Sequence, residues 1–274
     1  MSSEIFIKFT SNMTSPEIDI IGSGNLAANL APALEQNGFV INNIYGRSIK
    51  SAKQVTDRLY QASATDSLDF SESKSTIYII AISDDAIEEV SRELILPNNA
   101  IVAHTSGSKN LSILGYTASP NIGVLYPLQT FSKLKRVSFD NIPIFIEADN
   151  SFTEGILLRI AKGLSHNVSN ATSSQRQLIH LAAIFASNFT NALLVHAADL
   201  ITAAESDPQL LGPLVEETIK KSLLLGPKNA QTGPASRGDL EVLDVHMQML
   251  ESFPGMQETY RLLSQQILER SESD

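Results

Sequence analysis

The feature that most constrains the fold is a short apolar run that ends directly in a glycine-rich turn. Residues 18–21 read IDII, and Gly22–Ala27 follow with the pattern G-x-G-x-x-A. A helical pattern then runs from about residue 25 to residue 36 and stops at Asn37-Gly38, which is a typical helix end. A strand, a glycine-rich turn and a helix in this order predict the first βαβ unit of a doubly wound sheet.

The small residues of this turn have distinct physical roles. Gly22 permits the tight turn, Gly24 lets the backbone approach a pyrophosphate, and Ala27 permits close packing of helix on strand. The helix N-terminus would face the phosphate. A glycine-rich turn without a ligand is the alternative, but the flanking strand and helix favour dinucleotide binding. The predicted cofactor contacts in this segment are Gly22, Ser23, Gly24, Asn25 and Leu26.

Strands alternate with helices through the first 170 residues. Continuous apolar runs of this kind are expected where both faces of a parallel sheet are covered. Residues 1–170 are therefore predicted to form a doubly wound α/β domain. The predicted helices are 49–60 and 84–95, and the further strands are 39–45, 76–82, 100–104, 121–126 and 142–147.

From Ala171 onward the pattern predicts helices and no strand. Residues 171–274 are expected to form an all-α domain with helices at 173–204, 208–225, 239–252 and 256–270. The most apolar long stretch, 181–204, carries several polar side chains. It therefore reads as a buried or interfacial helix rather than a membrane span. An apolar stripe on this helix indicates a core or an interface, and its members are Leu178, Leu181, Phe185, Phe189 and Leu193.

The end of the second strand distinguishes the two nicotinamide dinucleotides. NAD sites place an acidic residue there to bind the ribose 2′-hydroxyl. This chain instead has Arg47 followed by Ser48. A guanidinium suits a 2′-phosphate, and the serine hydroxyl can donate a further hydrogen bond, so the sequence favours NADP over NAD. A solvated surface arginine is the alternative.

Two further strand ends carry small polar residues. Ligands bind outside the carboxyl ends of parallel strands, so Ile82 and Ser83 after one strand are predicted to contact the cofactor. His104 and Ser106, after the next strand, are predicted to do the same. The alternatives are a helix N-cap at Ser83 and a buried core histidine at position 104.

The long helix also carries polar candidates. At about 100° per residue, His180, Ser187 and Asn191 share one face, with Asn188 at its edge. Such a stripe either lines a cleft or closes into an internal hydrogen-bond network, because unpaired buried amides are costly. Arg237, on a glycine-flanked loop before a helix, is a candidate clamp for a substrate anion, and Asp239 is a candidate N-cap.

Composition excludes several function classes. The 274 residues carry a formal net charge of −10, which argues against nucleic acid and anionic membrane surfaces as partners. The absence of cysteine excludes disulfides, zinc ribbons, iron–sulfur clusters and thiol nucleophiles. No metal-binding motif occurs, and the first 13 residues lack a signal-peptide pattern, so a cytoplasmic protein is expected.

Six motifs in fixed order connect the chain to a known family. They are the G-x-G-x-x-A turn, G-R-S at 46–48, H-T-S-G-S at 104–108, Y-P-L-Q-T-F at 126–131, H-x-x-x-x-F-A-S-N at 180–188 and G-P-x-x-R-G-D at 233–239. As a set they resemble the Rossmann-like proteins that carry a C-terminal DUF2520 domain. These proteins are often labelled NADP oxidoreductases of the coenzyme F420-dependent type. The resemblance extends from about Ile18 to Leu268.

The resemblance implies further features of the chain. More distantly, it is similar to pyrroline-5-carboxylate reductases and β-hydroxyacid dehydrogenases. This implies a Rossmann domain followed by a helical domain like that of 6-phosphogluconate dehydrogenase, usually joined into a homodimer. The hydroxyacid dehydrogenases use a lysine four residues before an asparagine, whereas this chain has His180, Ile184 and Asn188 and no lysine there. No F420 site is visible, so F420 is not carried over as a cofactor.

These observations lead to one expected function and one alternative. We expect an NADP-dependent oxidoreductase that acts on a small carbonyl, imine or hydroxy compound. His180 is the candidate general acid, because imidazole titrates near neutrality. Asn188 and Asn191 would orient the substrate, and Arg237 would hold its anion. The alternative is a non-catalytic dinucleotide-binding sensor or assembly partner.

Overall fold

The computed structural model describes residues 16–271. The segment on which the absence of a signal peptide was argued lies outside these residues. The chain divides into two compact units, the first ending at Ser187 and the second beginning at Asn188. This division falls inside the long helix, because the start of that helix is anchored to the sheet. The expected domain boundary at residue 170 stays a prediction.

The first unit is built on one eight-stranded sheet in the order β3-β2-β1-β4-β5-β6-β7-β8. The α/β fold predicted from the sequence is confirmed. The strands are β1 (Glu17–Ile21), β2 (Val40–Tyr45), β3 (Ser63–Thr65), β4 (Ile77–Ile80), β5 (Ile101–His104), β6 (Asn121–Pro127), β7 (Ile144–Ala148) and β8 (Val168–Asn170).

Two details of the sheet differ from the expectation. The short edge strands β3 and β8 were not predicted from the sequence. The pair β6–β7 is antiparallel, with Pro127 opposite Ile144, whereas every other pair is parallel. The segment between these two strands contains no crossover helix. The chain therefore enters β7 at the same end of the sheet at which it leaves β6, so β7 runs antiparallel to β6.

In the described part of the first unit there are five α-helices, together with 3-10 helices at Asp84–Ala86 and Leu111–Tyr116. One of them, α4, was not predicted. The predicted helix at 84–95 begins as a 3-10 turn, Asp84–Ala86, and continues as an α-helix. The helices are α1 (Asn25–Gln36), α2 (Ile49–Thr56), α3 (Ile87–Glu93), α4 (Ser151–Leu164) and α5 (Ser173–Ala183).

Both faces of the sheet are covered. Ile18 and Ile20 of β1 belong to one fully buried cluster, and Ile21 belongs to a second cluster that includes Tyr78 and Ile80 of β4. Successive side chains of a strand point to opposite faces, so the continuous apolar runs supply both clusters. This packing holds the carboxyl ends of β1, β4, β5 and β6 side by side.

The long helix Ser173–Ala203 contains a π-helical segment, Ile184–Phe189. By length and composition it is the one described segment that could cross a membrane, with a hydropathy of 1.6. The predicted apolar stripe is not a core of the single chain, since Leu178 is 68 % exposed and Phe185 is 63 % exposed. An interface at this stripe stays a prediction.

The second unit is helical. Among the described residues from Ala171 to Ser271 there is no strand, as predicted. The predicted helix at 208–225 consists of a 3-10 turn, Pro208–Leu211, and an α-helix. The helices are α6 (Thr190–Ala203), α7 (Gly212–Leu225), α8 (Pro227–Ala230), α9 (Pro234–Arg237), α10 (Leu240–Met249) and α11 (Pro254–Ser271).

Candidate functional site

Gly22 ends β1 at a point where only glycine fits. Its φ is +138°, and a Cβ built on it would lie 2.1 Å from the carbonyl oxygen of Ala81. Its N–H donates to the carbonyl of Tyr45 at 3.0 Å. The chain therefore turns between β2 and β4 with no room for a side chain, which is the role predicted for the first glycine of the motif.

Gly24 differs from Gly22 in its surroundings. It is the N-cap of α1, it is exposed, and a Cβ built on it would meet no protein atom within 4 Å. Nothing inside the protein therefore requires glycine here. Open space beside the N–H groups of a helix start is the arrangement that lets a phosphate approach the backbone.

The turn opens into a groove of about 530 Å³. Among the described residues that line it, Arg47 and Lys133 are the only charged ones, although the whole chain carries a net charge of −10. Two cations in a lining that contains no acidic side chain favour an anionic ligand. The other lining residues are Gly22, Ser23, Gly24, Asn25, Leu26, Tyr45, Gly46, Ser51, Ala81, Ile82, Ser83, Ala86 and Val90.

Lys133 reaches the groove because two asparagines of α1 hold its loop. The Lys133 N–H donates to Asn25 Oδ1 at 3.3 Å. Asn29 donates to the carbonyl of Ser132 at 3.0 Å and accepts from the N–H of Val137 at 3.3 Å. The segment after β6 is thus tied to the first helix. The sequence analysis missed Lys133, because 108 residues separate it from Asn25.

Gly46 and Ser51 were also missed at the second strand end. A Cβ on Gly46 would lie 2.6 Å from Ser51 Oγ and 2.7 Å from Ser23 Oγ. The Ser23 hydroxyl donates to Ser51 Oγ at 3.0 Å. Glycine at the end of β2 therefore lets the two ligand-facing turns approach each other, and a glycine directly after an apolar run was a readable signal.

The structure brings most predicted cofactor residues together. The five residues from Gly22 to Leu26 line the groove, as do Arg47, Ile82 and Ser83. Ser48 is not among the lining residues, and its side chain instead caps α2 by accepting from the Ser51 N–H at 3.3 Å. Ser83 precedes the 3-10 turn but makes no side-chain cap bond. Cofactor contacts at these positions stay predictions.

His104 and Ser106 are not part of the groove lining. His104 is fully buried, and its Nδ1 accepts from the Ser106 N–H at 3.1 Å. Burial, with a further contribution from Arg176, lowers the pKa of His104 to about 3. The Ser106 hydroxyl accepts from the N–H groups of Ser108 and Lys109. The alternative of a buried core histidine thus describes position 104, and Ser106 shapes its own loop.

A buried arginine connects the long helix to the strand ends. Arg176, on α5, is fully buried and pairs with Glu147 of β7. It also donates to the carbonyl oxygens of Ser106, at 3.1 Å, and Lys109. Glu147 accepts from the Ser173 N–H at 2.9 Å. These bonds fix the first turn of α5 over the loop that follows β5.

One turn further along α5, His180 meets Tyr126 of β6. The Tyr126 hydroxyl lies 3.0 Å from His180 Nδ1, and the rings cross edge to face at 5.9 Å. Gly107 lies against both rings, because a Cβ there would be 2.7 Å from His180 Cγ and from Tyr126 Cζ. Sequence analysis selected His180 and missed the role of Tyr126, which no local spacing signals.

The loop after β5 is also tied to β4. The Ser108 hydroxyl donates to Asp84 Oδ2 at 2.5 Å, and Gln177 Nε2 donates to the Ser108 carbonyl at 2.8 Å. Burial raises the pKa of Tyr126 to about 12, and the negative charge of Asp84 adds to this shift. The phenol therefore keeps its proton at neutral pH.

The remaining candidates belong to the second unit. Arg237 is the last residue of α9 rather than part of a loop, and its guanidinium forms an ion pair with Asp239 at 2.7 Å. Asp239 is the N-cap of α10 by position, but its side chain makes no cap bond, because it binds Arg237 instead. Asn188 and Asn191 are exposed on the single chain. Their substrate-orienting role, and that of Arg237 as an anion clamp, stay predictions.

The polar face predicted on the long helix rests on a uniform 100° per residue. The π-helical segment Ile184–Phe189 interrupts that count between His180 and Asn191. In a π-helix the backbone hydrogen bonds join residues five apart instead of four, so each turn is wider than in an α-helix. The side chains beyond Ala183 are therefore rotated about the helix axis relative to the prediction. The described residues contain no cluster of three or more histidines or acids that could hold a metal ion.

The first unit has the Rossmann-like fold, with the groove at the turn after its first strand. A family model for the Rossmann-like domain matches residues 10–125, and a model for DUF2520, a domain of unknown function, matches residues 142–267. The chain belongs to the family of Rossmann-like proteins that carry a DUF2520 domain. None of the curated proteins compared with the chain matches it.

Solved structures show the same architecture over nearly the whole chain. A protein from Bacteroides fragilis, provisionally named an NADP oxidoreductase, is 39 % identical, with a TM-score of 0.87 over 94 % of this chain and 100 % of that one. The reductive aminase of Aspergillus terreus, solved with NADPH and ethyl levulinate, is 15 % identical, with a TM-score of 0.68 over 93 % and 95 %. A 1-pyrroline-5-carboxylate reductase from Streptococcus pyogenes is 12 % identical, with a TM-score of 0.62 over 95 % and 100 %.

Proposed function

We propose that the protein is an NADP-dependent oxidoreductase that transfers a hydride between nicotinamide and a small carbonyl, imine or hydroxy compound. The observation that carries this proposal is the groove at Gly22–Leu26, whose only charged lining residues are two cations. The relative from Bacteroides fragilis, with its provisional name of NADP oxidoreductase, supports the same cofactor. The more distant reductase and aminase support the fold alone.

The groove has a separate set of residues for each phosphate group of a bound NADP. The open space at Gly24 and the N–H groups at the start of α1 suit the pyrophosphate. Arg47 is exposed at the end of β2 and makes no ion pair with another described residue, so its guanidinium can take the 2′-phosphate of NADP. Lys133 adds positive charge from the opposite loop.

His180 is the proposed general acid. When bound, NADPH would supply the hydride. The substrate heteroatom then needs a proton, and the imidazole of His180 lies above the carboxyl ends of β5 and β6, where it packs on Gly107. His180→Ala should lower turnover by about 10²–10⁴-fold with little effect on NADPH affinity. Equal turnover in this variant would refute the role.

Parallel titrations with NADPH, NADH and reduced F420 test the cofactor directly. Calorimetry should give NADPH binding at least tenfold tighter than NADH binding, because of these two only NADPH carries the 2′-phosphate that Arg47 is proposed to contact. If none of the three binds, the oxidoreductase proposal fails. If NADPH binds but no carbonyl, imine or hydroxy compound is turned over, the protein is a dinucleotide-binding sensor.

The proposal includes a cytoplasmic homodimer formed through the helical unit, without nucleic acid or membrane partners. Large apolar side chains cover that unit, for example Leu223 at 83 %, Leu224 at 77 % and Met249 at 70 % exposure. Soluble monomers rarely expose such surfaces. Light scattering after size exclusion should give twice the chain mass of 29.7 kDa, and a monomeric mass would exclude the dimer.

A further inference from the structure

We propose that Tyr126 and His180 act as one proton-handling pair, in which Tyr126 is a positioning residue that holds His180 in one tautomer. In this tautomer the ring proton is on Nε2, and that N–H is the donor for the substrate. The proposal rests on the proposed function, because it concerns the proton that the same reaction requires.

The pair is held from several sides. Its hydroxyl-to-Nδ1 distance is 3.0 Å, and the backbone of Gly107 fills the space beside both rings. The ring of Tyr126 stacks on Phe145 of β7, with centroids 6.4 Å apart and an angle of 28°. Arg176, four residues before His180 on the same helix, is bonded to Glu147 and the Ser106 carbonyl. The imidazole is therefore oriented by packing as well as by its hydrogen bond.

The surroundings of the phenol decide whether its hydroxyl can donate in this hydrogen bond. Tyr126 is 8 % exposed, and Asp84 faces it from the end of β4 while Arg176 acts in the opposite sense from α5. Burial raises the pKa of Tyr126 to about 12, so the hydroxyl is protonated across the neutral range. A neutral imidazole can then accept a hydrogen bond from this hydroxyl at Nδ1, and its own proton is then on Nε2.

The other ring nitrogen is available to a ligand. Among the described residues no side chain or backbone group forms a hydrogen bond with His180 Nε2, and the residue is only partly buried. Tyr126 and the loop that carries Gly107 lie at the carboxyl ends of β6 and β5, whereas Arg47 follows β2, on the other side of β1. A dinucleotide bound across β1 with its adenosine half at β2 directs its nicotinamide half towards this pair.

The proton transfer balances within the pair. Addition of hydride, with its electron pair, to a C=O or C=N carbon leaves negative charge on the heteroatom. The Nε2–H bond of His180 breaks as a new O–H or N–H bond forms on the substrate. As the Nε2 proton leaves, the phenolic proton of Tyr126 moves to Nδ1. One H⁺ taken up from bulk solvent then reprotonates Nε2, and the Nδ1 proton returns to the Tyr126 oxygen, which regenerates the starting pair. NADPH is oxidised and the substrate is reduced.

Nitrogen NMR of the histidine rings tests the pairing without turnover. The chain has five histidines, and His180→Gln identifies the His180 signals. With the imidazole in its neutral form, the wild-type protein should show His180 with its proton on Nε2, and Tyr126→Phe should shift it to a mixture of tautomers. A proton on Nδ1 in the wild type, or an unchanged tautomer in Tyr126→Phe, would overturn the proposal.

A second histidine–tyrosine pair provides a matched control. His246 Nδ1 lies 2.7 Å from the Tyr260 hydroxyl, and these rings also cross edge to face, at 5.6 Å. Tyr260→Phe removes the same hydroxyl contact within the helical unit. It should leave the His180 tautomer and the turnover unchanged. A change equal to that of Tyr126→Phe would show that the effect is not specific to the proposed site.

Kinetics test whether the pair is used as a unit. Tyr126→Phe should lower kcat by about 10–100-fold, with KM and the NADPH Kd within twofold of the wild type. The double variant with His180→Gln should be no slower than His180→Gln alone, since groups acting together are not additive. Additive losses would overturn the proposal. Failure of the wild type to bind NADPH would refute the proposed function. The NMR result on the His180 tautomer does not depend on NADPH, so it tests the pairing of Tyr126 with His180 separately.

Discussion

The two glycines of the first turn should fail in different ways when each is changed to alanine. At Gly22 an added Cβ would lie 2.1 Å from a backbone oxygen, and the φ of +138° disfavours any side chain. Backbone strain of this kind costs about 1–3 kcal/mol, and overpacking against a rigid neighbour costs a similar amount. Gly22→Ala should therefore lower the free energy of unfolding by about 2–6 kcal/mol.

At Gly24 the same change should spare the fold. No protein atom lies within 4 Å of the added Cβ, and the φ of −79° is ordinary for alanine. Loss of glycine as N-cap should cost no more than about 1 kcal/mol. The methyl group would instead occupy the space needed by the pyrophosphate. Gly24→Ala should weaken NADPH binding by at least tenfold.

Urea unfolding followed by circular dichroism and calorimetry with NADPH separate these effects. The expected pattern is a lower unfolding midpoint for Gly22→Ala and weaker binding at nearly wild-type stability for Gly24→Ala. Gly38→Ala, at a φ of +82° but with no atom near its added Cβ, isolates backbone strain from the clash. Wild-type stability in Gly22→Ala, or wild-type NADPH affinity in Gly24→Ala, would refute the reasoning.

Three further predictions follow from charges in the first unit. Arg47→Gln should weaken NADPH binding by about tenfold or more and leave NADH binding within twofold, with Lys50→Gln as a control by calorimetry; equal losses for both dinucleotides would contradict a 2′-phosphate contact. Arg176→Met leaves the carboxylate of Glu147 without its ion-pair partner, so the free energy of unfolding measured in urea should fall by about 3–5 kcal/mol. Adding Glu147→Gln should restore part of this loss. A loss under 1 kcal/mol in Arg176→Met would contradict the reasoning. Burial lowers the pKa of His104 to about 3, so the folded protein resists a proton that the unfolded chain takes up near pH 6.5. The free energy of unfolding should therefore keep its full value above pH 6.5 and fall by about 1.4 kcal/mol per pH unit between pH 6.5 and pH 3. His104→Gln should remove this contribution from the measured dependence of unfolding on pH.

The sequence predicts best the elements whose signals are local. The β1 strand, the glycine turn and α1 begin and end close to where periodicity and turn chemistry put them. The edge strand Ser63–Thr65 escaped prediction because three half-exposed residues have no usable period. The antiparallel β7 has the same apolar pattern as a parallel strand, so strand direction was not readable from it.

The site was predictable where it depends on the backbone and not where it depends on distant side chains. Gly22 acts through its backbone conformation and Gly24 through the space that its missing side chain leaves, and the motif indicates both. Lys133 and Tyr126 reach their places only through tertiary packing, and neither stands in a spacing typical of its role. His104 shows the converse, since its place at a strand end predicted a cofactor contact, whereas its side chain is fully buried and outside the groove lining.

The groove joins parts of the chain that are far apart in sequence. The hydrogen bond between Asn25 and Lys133 spans 108 residues, and both residues line the same cavity. A dinucleotide in contact with both would behave as a reversible cross-link, present in the native chain and absent from the unfolded one. At 100 times its Kd such a ligand adds about 2.7 kcal/mol of stability. A rise in melting temperature would then identify the true dinucleotide before any substrate is known.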